Sequence, residues 1–255
     1  MLRDKTISLC MPARNEAAHL PQVLAAVPPY VDEVVIVSNR SRDDTVEVAR
    51  SLGAVVGVDD RTHHGNGYGY AVMSALSLAT SDLLVTADSD GTYPFDSIEG
   101  AVDHLVDSNL DYVSCNRYPL EDKRQVPRKL RVGVGLLNLE VRLLYGVAIR
   151  DIISGMNVIR RDVVPKLGLN MGDWNGCPEL RLKAFMDPDV AAAEYRIVQR
   201  DRYGTSHQAY FRTGFSHAWW LLRYRFGDRR GTTPDAPWTP PARVTPRSVD
   251  EHVEE

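Results

Sequence analysis

Only three cysteines occur in 255 residues, Cys10, Cys115 and Cys177. They are far apart, odd in number and without metal-ligand spacing, which sets aside a disulfide-stapled scaffold and a zinc module. Cys10 and Cys115 sit in strand-like apolar runs, so buried reduced thiols in a cytoplasmic protein are the expected state. Neither charge is in marked excess: 30 Lys and Arg against 34 Asp and Glu give a net charge of −4. That balance offers no footprint for a nucleic-acid partner. No uninterrupted apolar run approaches the length of a bilayer crossing, and no charged-then-apolar leader precedes the first strand. A soluble or at most membrane-peripheral protein is expected, long enough for one large α/β domain with a substantial core.

Strand-like and helix-like segments alternate over residues 5–115. Ile7-Ser8-Leu9-Cys10-Met11 reads as a strand, and Leu20, Val23, Leu24 and Val27 recur at helical spacing until Pro28-Pro29 stops them. Val34 to Val37 is a second strand. Asp43 is a candidate N-cap for a helix carrying Thr45, Val48, Ala49 and Leu52 and ending at Gly53. Ala54 to Val58 is a third strand, followed by the loop His63-His64-Gly65-Asn66-Gly67 and a helix with Val72, Ala75, Leu76 and Ala79 in register. A fourth strand, Leu83 to Ala87, runs into Asp88-Ser89-Asp90-Gly91. A helix with Ile98, Ala101, Val102 and Leu105 then leads to Tyr112-Val113-Ser114-Cys115. Near-continuous apolar strands between amphipathic helices predict a mostly parallel sheet with helices on both faces. Ligands of such sheets bind beyond the carboxyl ends of the strands, where all these polar loops fall.

Asp88 and Asp90 stand at i and i+2, which lets both carboxylates converge as hard oxygen ligands for Mg²⁺ or Mn²⁺. The alternative is two solvated carboxylates opening a loop. Beyond residue 116 the pattern loosens. Arg117, Lys123, Arg124, Arg128, Lys129 and Arg131 form a basic stretch, followed by a helix with Val132, Leu136, Leu139 and Leu143. Gly172 to Gly176 is a loop, Pro178-Glu179 opens a short helix, and Ala191 to Val198 is strand-like. Phe211, Phe215, Trp219, Leu222 and Phe226 lie on one face of an amphipathic helix over 211–230, with Arg212, Arg223 and Arg225 among its polar positions. That stripe either packs on the domain or on a second subunit, the favoured expectation, or lies in a membrane interface. Residues 231–255 are rich in proline and acid without period, predicting a disordered tail.

These pieces resemble the family 2 glycosyltransferases of the GT-A fold and, within them, the polyprenyl-phosphate (dolichol-phosphate) sugar transferases. Pro12-Ala13-Arg14-Asn15-Glu16 resembles the loop that wraps the nucleotide, and Asn39 to Thr45 the second nucleotide loop. Gly65-Asn66-Gly67 resembles a Gly-Lys-Gly loop and Asp88-Ser89-Asp90-Gly91 the metal motif. Arg117-Tyr118, Arg131, Asn138, Asp151-x-x-Ser154-Gly155-Met156 and Arg202-x-Gly204-x-Ser206 follow the order of that subgroup. The resemblance implies a Rossmann-like GT-A domain over 1–210, its nucleotide half about 1–116 and its acceptor half about 117–210. It implies nucleotide contacts at Pro12, Arg14, Glu16, Asn39, Ser41, Asp43, Asn66, Asp88 and Ser89, and metal at Asp88 and Asp90. Acceptor contacts are implied at Arg117, Arg131, Ser154, Arg202, Ser206 and His207. Three positions depart from the family pattern: Ser38 replaces an acid, Asn66 a lysine and Gly135 a serine.

The implied activity is inverting transfer of a sugar from a UDP- or GDP-linked donor, with Mn²⁺ or Mg²⁺ neutralising the departing diphosphate. A lipid-phosphate acceptor carries its own charge and needs arginines more than a base, with Arg117, Arg131 and Arg202 as candidates. A small hydroxylated acceptor would need a carboxylate, for which Asp173 and Glu179 are available. His63, His64 and His207 are further potential metal ligands, although exposed histidines are the plainer reading. One rival is a nucleotide-sugar-binding pseudoenzyme, suggested by Ser38 and Asn66. A dinucleotide-binding enzyme, suggested by Gly65-Asn66-Gly67, is weak because Tyr70 holds the sixth position and Asp59-Asp60 would repel a pyrophosphate. A cytoplasmic protein is expected, membrane-peripheral or homodimeric according to what covers the aromatic stripe.

Overall fold

The computed structural model describes residues 1–123, 126–204 and 209–227. Apolar runs bounded by turns form strands β1 (Ile7–Ala13), β2 (Glu33–Ser38), β3 (Val55–Val58), β4 (Leu83–Thr86), β5 (Tyr112–Asn116), β6 (Asn157–Arg160) and β7 (Ala192–Arg196). The segments of helical period form α1 (Leu20–Ala25), α2 (Thr45–Ser51), α3 (Tyr68–Leu78), α4 (Ser97–Asp107), α5 (Arg128–Tyr145), α6 (Gly176–Met186) and α7 (Tyr210–Phe226). One sheet has the order β3-β2-β1-β4-β6-β5-β7. Within it β6 runs antiparallel to both neighbours, β4 and β5, while the remaining pairs are parallel. The sequence pattern does not announce β6: it has four residues, two of them apolar, inside a polar motif. Its neighbours supply what its length does not. Asn157 donates to Thr86 Oγ1 at 2.8 Å and accepts from the Tyr112 hydroxyl at 2.5 Å.

Alternating Cβ directions along β1 feed two cores. Leu9 and Met11 join Leu20, Val23, Ile98, Val102 and Leu105 on one face, and Cys10 joins Ala71, Ala75, Leu180 and Ala184 on the other. Each large apolar side chain so buried contributes about 1.5–3 kcal/mol. Asp44 rather than Asp43 holds the N-cap position of α2, but the Asp43 carboxylate accepts from Thr45 N at 3.2 Å and satisfies that helix start.

A third cluster buries Leu137 and Val141 of α5, Leu182 of α6, and Trp220 and Leu221 of α7. Here the expected faces are reversed. The residues that mark the apolar stripe of α5 in the sequence, Val132, Leu136, Leu139 and Leu143, are exposed, and Val134, Leu137 and Val141 are buried instead. In α7 Phe211, Phe215, Trp219, Leu222 and Phe226 point outward, with His217, Trp220 and Leu221 buried. Of the expected packing on the domain or on a second subunit, the domain part is therefore overturned. Each helix carries two apolar faces and the domain takes one. The tail 231–255, Arg124, Ser206 and His207 lie outside the described residues. Among the described residues, no helix is long and apolar enough to cross a membrane.

Candidate functional site

The carboxyl ends of β1 and β4 lie side by side, because the two strands pair in parallel. Ala87 N donates to Cys10 O at 3.2 Å, and Ser89 Oγ donates to Pro12 O at 2.8 Å, fastening the Asp88–Asp90 turn to the end of β1. Asp90 Oδ1 accepts from Thr92 N at 2.9 Å, and its other oxygen meets the Arg202 guanidinium at 2.5 Å. The chain beyond β7 is thus folded back over the Asp pair, with Tyr203 N donating to Asp90 O at 2.8 Å. On the other side, the Tyr68 hydroxyl donates to Asp88 Oδ1 at 2.9 Å, and Trp174 stacks on the Tyr68 ring with centroids 4.7 Å apart. Gly155 closes the wall: a Cβ there would lie 3.1 Å from Asp88 Oδ1.

Tyr68, Asp88, Ser89, Asp90, Trp174 and Arg202 border a cleft of about 330 Å³. Of the residues singled out in the sequence, Pro12, Arg14, Glu16, Asn39, His64, Asn66, Asp88, Ser89, Asp90, Asp173 and Arg202 line it. Tyr68, Trp174, Arg212, Thr213 and Ser216 line it as well, and no sequence motif pointed to them. Ser41 and Asp43 stand behind the first loop. Ser41 Oγ accepts from Asn15 N at 3.1 Å and Asp43 from Ala17 N at 3.1 Å, so both shape the Arg14–Ala17 turn. The substitutions at Ser38 and Asn66 are absorbed locally: Ser38 Oγ donates to Ser41 Oγ at 2.8 Å, and Asn66 Oδ1 accepts from Tyr68 N at 3.3 Å.

Arg117, Arg131 and Ser154 are not in the cleft lining. Arg117 is gripped bidentately by the buried Asp151, Nε to Oδ2 at 2.7 Å and Nη2 to Oδ1 at 2.9 Å. Burial works against that cation, but Asp151 outweighs it and holds the guanidinium firmly charged. Arg131 Nε and Ser154 Oγ are buried without a hydrogen-bond partner. Glu179, a candidate base, is buried and occupied by Lys183 Nζ at 2.6 Å and Met171 N at 2.8 Å. Asp173, the other candidate, is also buried and borders the cleft; His64 is exposed, as the plainer reading expects, and His63 half-buried, and both imidazoles lie against the Asp173 carboxylate.

Four acids, Glu16, Asp88, Asp90 and Asp173, line the cleft with three arginines, Arg14, Arg202 and Arg212. Burial, then the neighbouring Asp90, pushes the Glu16 carboxyl up to about 7. The same two causes raise Asp88, against the opposing pull of Tyr68, Arg202 and Arg117. Buried neighbouring carboxylates are costly to ionise together. Hard oxygen donors in that condition fit a divalent cation of the Mg²⁺ or Mn²⁺ type.

Parallel strands that deliver a nucleotide-type loop and a carboxylate pair to one cleft, with a reversed strand beyond them, define a GT-A-type fold. Residues 8–168 match glycosyl transferase family 2, and the chain belongs to that family. An uncharacterized glycosyltransferase of Mycobacterium tuberculosis is 33% identical over 196 residues, covering 76% of this chain and 83% of that one. A dolichyl-phosphate hexose transferase of Haloferax volcanii is 29% identical over 204 residues, covering 78% and 84%. Glucosyl-3-phosphoglycerate synthase from Mycobacterium tuberculosis, solved with Mn²⁺, UDP and glucosyl-3-phosphoglycerate, matches with a TM-score of 0.67 at 21% identity, over 91% of this chain and 82% of that one. That likeness shows the fold. The protein is a glycosyltransferase, and the dinucleotide-enzyme reading is set aside.

Proposed function

We propose that this glycosyltransferase moves a sugar, with inversion, from a nucleoside-diphosphate sugar to a polyprenyl phosphate with the help of a divalent ion. The observation that carries the acceptor class is the placement of α7. Its Arg212, Thr213 and Ser216 border the cleft, while Phe211, Phe215 and Trp219 of the same helix point outward. An acceptor whose phosphate enters the cleft and whose isoprenoid chain stays in a lipid surface uses both sides of that helix. Leu136, Leu139 and Leu143 of the adjoining α5 extend the outward apolar surface. The dolichyl-phosphate hexose transferase relative supports the same class.

In this reading the nucleotide lies along Pro12, Arg14, Glu16, Asn39, Asn66 and Ser89, with Ser41 and Asp43 shaping its loop. Asp88 and Asp90 would hold the Mn²⁺ or Mg²⁺ ion, which when bound supplies Lewis-acid neutralisation of the leaving diphosphate. Arg202 presents a guanidinium beside the carboxylates, matched to phosphate oxygens. Arg117 is a positioning residue: tied to Asp151, it fixes the segment that carries Ser154 and Gly155 against Asp88. Arg131 and Ser154 offer unsatisfied polar atoms, and Ser206 and His207, the other expected acceptor contacts, lie outside the described residues. A phosphate oxygen is already anionic, so attack on the anomeric carbon needs no protein base. The occupied state of Glu179 agrees with that.

The test incubates the full chain and Mn²⁺ with a panel of UDP- and GDP-sugars, offering polyprenyl phosphate in vesicles or small hydroxylated acceptors in solution. Nucleoside diphosphate release and an organic-extractable sugar are expected with the lipid. Release with the small acceptors alone would overturn the acceptor class. Metal-dependent donor binding without release in any arm would make the protein a nucleotide-sugar-binding pseudoenzyme.

A further inference from the structure

At the rim of the cleft, the loop between β3 and α3 meets the segment that precedes α6. His63 Nδ1 and His64 Nδ1 lie 3.3 Å and 3.1 Å from the same oxygen, Asp173 Oδ2. The ligand atoms of all three residues fall within 4.8 Å of one another. Asn175 Nδ2 also reaches Asp173 Oδ2, at 3.2 Å, so three nitrogens crowd one carboxylate oxygen that has two lone pairs. The crowding leaves His63 Nδ1 buried without a hydrogen bond of acceptable geometry. A buried polar atom in that state is unfavourable. A cation between the three groups removes the cost, because both imidazoles then act as lone-pair donors.

Two of the three separations are those of a coordination shell. Ligand atoms bound at about 2.0–2.1 Å to a tetrahedral ion stand roughly 3.3 Å from each other, which matches both nitrogen-to-oxygen separations. The surroundings are built to hold it. Asp173 Oδ1 accepts from Asn175 N at 2.9 Å, and the Asn175 amide is held in turn by the buried His217 at 2.8 Å. Such outer contacts fix the orientation of a ligating carboxylate. The histidine loop is pinned by reciprocal backbone bonds between His63 and Asn66 at 2.7 Å and 3.2 Å, with His64 held in the left-handed region at φ 49°. A non-glycine residue there carries strain, spent here on placing the second imidazole. The first turns of α3 and α6, which follow the two segments, also meet through backbone: a Cβ at Gly176 would come within 2.8 Å of the Gly69 Cα.

We propose that His63, His64 and Asp173 form a transition-metal site of the Zn²⁺ class at the cleft rim, separate from the Asp88–Asp90 pair. Two imidazoles and one carboxylate suit a borderline ion, whereas the Asp pair offers only hard oxygens. Bound there, the ion ties the loop after β3 to the segment before α6, and three protein ligands leave a position for water. The site stands on its own geometry and does not depend on the acceptor proposed above.

Cobalt tests it directly. Untagged full-length protein, stripped with chelator, is titrated with Co²⁺ while the visible spectrum is followed, alongside Asp90→Ala, His63→Ala, His64→Ala and Asp173→Asn. One equivalent with the intense bands of a four-coordinate centre is expected in the wild type and in Asp90→Ala, displaced by Zn²⁺. The bands should be lost in both histidine variants and in Asp173→Asn. Since His64 is exposed, its replacement leaves the core untouched and keeps the test valid if Asp173→Asn fails to fold. Absence of four-coordinate bands, or bands that survive both histidine substitutions, would overturn the site.

Discussion

The helices of the two halves treat their apolar residues in opposite ways. In the first half, Leu20 and Val23 of α1 and Ile98, Val102 and Leu105 of α4 disappear into the sheet core. In the second, α5 and α7 bury Leu137, Val141, Trp220 and Leu221, yet leave Leu136, Leu143, Phe215 and Trp219 in the open. The first half spends its hydrophobic surface on folding. The second leaves a share of it exposed, next to the cleft where the carboxylates gather.

The largest effect expected concerns the centre that both halves share. Asp90→Ala should lower nucleoside diphosphate release by about 10³-fold, the several kcal/mol that a Lewis acid contributes, with the circular dichroism spectrum unchanged. Unchanged turnover would remove the ion from the reaction. Next comes the buried pair in the second half. Asp151→Ala leaves Arg117 without its partner and should cost about 3–5 kcal/mol in urea unfolding; a loss below 1 kcal/mol would mean the pair is a bystander.

Core truncation in the first half follows. Leu105→Ala should cost about 3 kcal/mol, as buried leucines do. A pH effect comes next, from His217, whose pKa burial pushes down to about 4. Above pH 6.5 both folded and unfolded chains hold it neutral, and its contribution is fully present. As pH falls from 6.5 towards 4, the unfolded chain takes up a proton that the folded chain refuses, and stability drops by about 3 kcal/mol. His217→Gln should flatten that slope in acid-unfolding measurements; an identical slope would assign it to other groups. The smallest stability effect should come from the outward faces. Leu143→Ser with Phe215→Ser should move the unfolding free energy by less than about 0.5 kcal/mol per site, while weakening co-sedimentation with anionic vesicles. A large stability loss with unaltered vesicle binding would erase the contrast between the halves.

The contrast also explains what the sequence could reveal. Periodicity announces a helix, but α5 repeats apolar residues on two faces, Val134-Leu137-Val141 and Leu136-Leu139-Leu143, and period alone does not say which meets the domain. β6 escaped because four residues held by Thr86 and Tyr112 need little pattern of their own. The Asp pair was legible because a strand ending in spaced carboxylates has a local signature. The meeting of His63 and His64 with Asp173, 109 positions after His64 in the chain, has none. Trp174 and Tyr68 met the same obstacle: a stacking pair from distant segments leaves no trace in either.

Gly155 gives the site its dimensional tolerance. A single carbon at that position would stand 3.1 Å from both the Asp88 carboxylate and the Tyr93 hydroxyl, tighter than nearly all real contacts of its kind. The wall behind the carboxylate is therefore fitted to the size of a hydrogen atom. Adding one methyl group there obliges Asp88 or Tyr93 to give way by a few tenths of an ångström, so position 155 sets the clearance behind the carboxylate.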